Sequence, residues 1–145
     1  MPKRWSLTLM LAAAAAGLAA GTASAMSGYM WKNRPLVVFA PGGTHPGLAQ
    51  QKAIIASLRP AFIDRNVVAV YVAGDSVSTD LGAGPGMGAA QLRSRFGVAP
   101  GAFRVLLVGK DGGVKLSSSS PVSAQTLFAT IDAMPMRRDE MRKGR

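Results

Sequence analysis

The sequence predicts an α/β domain built on a central mixed sheet of about four strands, in the order β-α-β-α-β-β-α. Three observations predict it. The runs PLVVFAP (35–41) and VVAVYVAG (67–74) are near-continuously apolar, as strands covered on both faces are. Between them Leu48, Ile54, Ile55 and Leu58 recur at helical spacing. A third apolar run, FRVLLVG, closes through DGG into VKLS, the pattern of a hairpin.

Each element follows in turn. GGTHPG (42–47) is a loop by composition and leads into the helix of Leu48 to Leu58. DSVSTDLGAGPGMG (75–88), with four glycines and a proline, reads as an irregular connection. Ala89 to Phe96 makes a short helix stopped by Gly97. SSSS before Pro121 is a connector, and Ser123 to Met134 is a helix with Leu127, Phe128, Ile131 and Met134 on one face. Pro135 then either kinks that helix or opens another.

Strands joined through helices make the first half a parallel unit, and the hairpin adds an antiparallel pair.

The chain is 145 residues long and opens with Lys3 and Arg4, an alanine-rich apolar run from Leu7 to Ala20, and Ala23-Ser24-Ala25. That order is a secretory signal peptide over residues 1–25, cleaved after Ala25. The run is too short and too weakly apolar for a span of roughly 20 residues, and no later segment is long enough. With no cysteine at the cleavage site, a lipoprotein is excluded. One domain, residues 33–143, is expected in a periplasmic or secreted protein.

There is no cysteine anywhere. Thiol-disulfide exchange, thiol peroxidase chemistry, cysteine nucleophiles and thiolate metal sites are therefore excluded, and no cofactor is implied. After cleavage the chain carries 15 Lys and Arg against 7 Asp and Glu, a net charge of +8. Five of the cations fall in the terminal stretch MRRDEMRKGR, without interleaved aromatics. A solvated basic tail, with Arg137, Arg138, Arg142 and Lys143 as an electrostatic contact for an acidic surface, fits better than a nucleic-acid site.

The strand-loop-helix from Leu36 to Leu58, followed by LRSRFGV, FRVLLVGKDGGVK and a terminal helix, resembles thioredoxin-like and peroxiredoxin domains over about 110 residues. More closely, VFAP, a central GD, LRSRFGV, LLVGKDGGVK and IDAMPMRRDEMR are similar to the family of the domain of unknown function 4174. That family is found in exported bacterial proteins and, in related form, in animal secreted matrix proteins. Most of the match lies between Phe103 and Arg142. The resemblance implies a thioredoxin-like fold and export, and no settled activity. Laid without gaps, the thioredoxin redox motif falls on Gly43-Thr44-His45-Pro46, with both cysteine positions empty. The cis-proline position falls near Arg104. In a peroxiredoxin overlay Pro41 and Arg104 match, but His45 stands at the threonine position and Leu48 at that of the cysteine.

Other motifs resolve into turns and loops. GKDGG is not a Walker A loop, because Asp111 follows Lys110 where a metal-binding hydroxyl is needed; Asp-Gly and Gly-Gly are hairpin-turn dipeptides. Gly84-x-Gly86-x-x-Ala89 stands some ten residues beyond its strand, too far for a dinucleotide fingerprint. Met134, Met136 and Met141 suit packing better than copper ligation, since they do not share a helix face.

His45, the single histidine, lies in the first strand-end loop, where Asp75 at the end of the second strand could orient it as a general base. A solvated loop histidine is the alternative. Arg104, opening a buried strand, needs either an ion-pair partner or an anion.

The expected function is a non-redox binding or interaction protein with an envelope or extracellular protein partner. The competing expectation is a cysteine-independent hydrolase or lyase using His45, Asp75 and Arg104. An anionic-lipid surface is a third candidate partner.

Overall fold

The computed structural model describes residues 26–144, so the expected signal segment and its cleavage site at Ala25 lie outside the described residues. A 3-10 turn, Ser27–Tyr29, is followed by β1 (Arg34–Ala40), α1 (Pro46–Ser57), α2 (Arg59–Asp64), β2 (Val67–Ala73), β3 (Ser76–Asp80), α3 (Ala89–Phe96), β4 (Arg104–Val108), β5 (Val114–Ser118), α4 (Ala124–Asp132) and α5 (Pro135–Lys143). Among these no helix is long and apolar enough to cross a membrane.

The five strands form one mixed sheet in the order β3-β2-β1-β4-β5. β1 runs parallel to β2, with Val37 opposite Val70, and antiparallel to β4, with Phe39 opposite Arg104. β3 and β5 close the two edges, each antiparallel to its neighbour.

All seven residues of β1 are buried, as its unbroken apolar run predicts. Its alternate side chains feed two cores. Leu36, Val38 and Ala40 meet Leu48 and Ile55 of α1, Phe62 of α2, and Leu127 and Ile131 of α4. On the other face Val37 and Phe39 pack with Leu92 of α3, Val98 and the buried Met26 and Tyr29. Packed structure thus begins N-terminal to residue 33.

Two elements correct the expected order. The sheet has five strands rather than four, because Ser76–Asp80, read as part of an irregular connection, is an edge strand against β2. Its polar residues are tolerated because only Val77 joins the core. The helical stretch after β1 is two helices, broken at Leu58, with Pro60 in the first turn of α2. Pro135 takes the first position of a separate helix, α5, rather than kinking α4.

The hairpin turn is as expected: Gly112 has φ +86, and its N–H donates to the Gly109 carbonyl.

Gln51 of α1 is wholly buried, and its amide makes two bonds to the Val122 backbone, accepting at 2.8 Å and donating at 3.1 Å. These bonds tie the β5–α4 loop to α1. Gln51→Leu keeps the volume but orphans a buried N–H and C=O, so a loss of about 2–4 kcal/mol is expected in urea unfolding.

Candidate functional site

The three residues expected to share a site do lie toward one end of the sheet, beyond the C-terminal ends of β1 and β2 and the start of β4. His45 is the N-cap of α1: its Nδ1 accepts from the Gly47 N–H at 3.1 Å, and its ring stacks on Phe103 with centroids 5.0 Å apart. Arg104 donates to the Ser117 hydroxyl at 3.1 Å across the hairpin. Asp75 is exposed in the tight turn between β2 and β3. Among the described residues no hydrogen bond or ion pair joins any two of them, so Arg104 does not have the carboxylate partner expected for it.

Sequence reasoning missed the residue that organises this end. Arg93, on α3, is buried and donates to the carbonyls of Gly74 at 2.7 Å and Ala40 at 3.0 Å. It clasps the ends of both parallel strands and, with Asp75, lines an open depression of about 610 Å³.

At the opposite end lies a denser polar cluster. Arg34, the first residue of β1, is fully buried and makes a two-pronged contact with Glu140 of α5, at 3.1 and 3.2 Å. Lys110, just past β4, donates to the same carboxylate at 2.7 Å and to the Asn66 side-chain oxygen at 2.9 Å. Asn66 can hold its φ of +57 because its short polar side chain tolerates the left-handed region. Arg65 binds Asp132 through two bonds, at 2.9 and 3.0 Å, and lies over the Phe128 ring. Arg137 reaches Asp64 at 2.8 Å and Asp132 at 3.2 Å.

The cluster therefore joins four cations and three carboxylates drawn from five separate stretches of chain. Burial alone would raise the carboxyl of Glu140, but the hydrogen bonds from Arg34 and Lys110 outweigh it and hold that group below its ordinary range. Asp132 is held low in the same way, with Arg65 and Arg137 opposing its burial.

This geometry corrects the expected basic tail. Arg137 is 4 % exposed and spent within the fold, and Arg142 pairs with Asp139. Among the described residues, Arg138 and Lys143 are the members of that group exposed without a carboxylate partner.

Beside the cluster, the β4–β5 turn and the α4–α5 junction face each other across a cleft of about 310 Å³. Gly109, Lys110, Asp111 and Lys115 line one wall, Ala133, Met134, Pro135 and Met136 the other, and Arg34 borders both. Its charged side chains are cationic except Asp111, which pairs with Lys115 at 2.8 Å. Met134 and Met136 thus act in packing and as cleft wall. Among the described residues no cluster of His, Asp or Glu could hold a metal ion.

Comparison with known proteins adds two findings. The model of a domain of unknown function, number 4174, matches residues 25–140. A zebrafish (Danio rerio) protein, coiled-coil domain-containing protein 80, is 45 % identical over 51 residues, which is 34 % of this chain and 6 % of that protein.

Proposed function

The chain belongs to the family of the domain of unknown function 4174, and from that premise we propose that it is an exported, non-redox binding domain of thioredoxin-like fold. Its partner is an envelope or extracellular protein presenting an acidic surface. The basic, apolar and A-x-A order of residues 1–25 supports export. A central strand flanked by one parallel and one antiparallel neighbour, with helices on both faces, supports the fold assignment.

One observation carries the binding role. Among the described residues, six of the seven side-chain carboxylates are engaged by cations of the same chain, and Asp75 has no such partner. Lys32, Lys52, Arg95, Arg138 and Lys143 are exposed and make no ion pair among the described residues. The net charge is therefore offered outward by cations whose counter-charges must come from elsewhere, which favours encounter with an acidic partner.

Crosslinking in the native compartment tests this. A partner recovered with the wild-type chain should fall at least about tenfold when these five cations are changed to glutamate. Equal recovery with both chains would refute the reading.

A further inference from the structure

We propose that the cleft between the β4–β5 turn and the α4–α5 junction binds a small amphipathic carboxylate, an anionic head joined to a short unbranched apolar tail. This goes beyond the protein-partner reading and can fail or stand without it.

The walls set the tail. Met134, Pro135, Met136 and Ala133 give one apolar side, and methionine, unbranched and adaptable, accommodates a flexible chain better than a rigid ring. A volume of about 310 Å³ is at the lower end of the range of small-ligand pockets.

The charge balance sets the head. Arg34 and Lys110, both lining the cleft, share the single carboxylate of Glu140. Across the whole cluster Arg34, Arg65, Lys110 and Arg137 face only Asp64, Asp132 and Glu140, so one positive charge is uncompensated. Buried cations are costly without full pairing. Arg34 also keeps one donor unmet, since its Nε is buried without a hydrogen-bond partner among the described residues. Lys115, about one third exposed and paired with Asp111 over Gly109, supplies a further ammonium at the same wall. A carboxylate lodged there completes the balance, whereas an amine adds to the excess.

The two stretches facing each other across the cleft are GKDGGVK and DAMPM. Turn formation accounts for the glycines of the first. It does not account for a buried lysine there, nor for an exposed methionine opposite.

The test is a titration of the ¹⁵N-labelled mature chain with hexanoate, hexanol and hexylammonium, read by amide shifts. Hexanoate should give saturable shifts confined to Gly109, Lys110, Lys115, Thr130, Ala133, Met134 and Met136, at least about tenfold tighter than hexylammonium. Lys115→Glu should weaken hexanoate by about tenfold or more. Ala133→Trp, at an exposed position, should fill the cleft and abolish the shifts while leaving the Arg93 and Gly74 amides in place. The proposal is overturned by shifts that do not saturate by about 20 mM, by equal response to hexylammonium, or by hexanoate shifts that persist in folded Ala133→Trp.

Discussion

Replacing Glu140 with alanine is expected to lower the unfolding free energy by about 3 kcal/mol. The carboxylate is the common acceptor for Arg34 and Lys110, and without it two buried cations lose their counter-ion. Breaking such a pair costs more than the pair is worth, because the remaining charge stays desolvated. The low end of the usual range applies, since the Glu140 side chain is itself 26 % exposed.

Pairing the change with Arg34→Met should therefore recover much of the loss, as a neutral side chain fills the same buried space. Denaturant midpoints of the two single variants and the double variant close the cycle. If the double variant were as unstable as the sum of the singles, the coupling assigned to this pair would be wrong.

The same carboxylate gives the fold its acid sensitivity. Glu140 and Asp132 have folded values below their unfolded ones. Their contribution is complete above the ordinary carboxylate range and is lost as pH falls through the lower folded values. Stability should decline below about pH 4. Glu140→Gln, which cannot ionise, should flatten that decline, at the cost of lower stability at neutral pH.

How much of this was legible in the sequence depends on how local the cause was. β1, β2 and β4 announce themselves because burial on both faces leaves an apolar run no other element explains. The GKDGG turn was equally clear, since Gly112 must take a positive φ. Ser76–Asp80 was hidden because an edge strand needs only one inward residue, Val77, and the glycine-rich stretch after it looks like loop. α2 was hidden because only Phe62 is fully buried.

The ionic cluster was illegible as a whole. Arg34 and Glu140 are 106 residues apart, and no spacing rule connects them. One part of it could have been found: a cation opening a buried strand demands a partner, an argument applied to Arg104 that holds with more force for Arg34. Arg137 gave no such signal, because it stands on a helix within a charged run.

Arg93→Leu should be the most damaging change at the other end of the sheet, lowering stability by about 2–4 kcal/mol. Its guanidinium donates to the last carbonyl of β1, at Ala40, and to the Gly74 carbonyl in the turn after β2, where the parallel ladder ends. Gly74, at φ +57, is held in that turn by its own N–H to Ala40 and by Arg93 on its carbonyl. Leucine preserves the apolar stem but takes the Arg93 donor from the Gly74 carbonyl and leaves the Ala40 carbonyl with the Gly74 N–H alone.

Arg93→Lys can reach one carbonyl but not fork between two, so it should fall between leucine and the wild type. Hydrogen exchange separates a local clasp from general core damage. In Arg93→Leu the Gly74 amide should lose protection by more than the amides of β4, because the strand ends open before the sheet does. Uniform loss across the sheet would mean that Arg93 serves the core and not the strand ends, and the depression it lines with Asp75 would then have no special support.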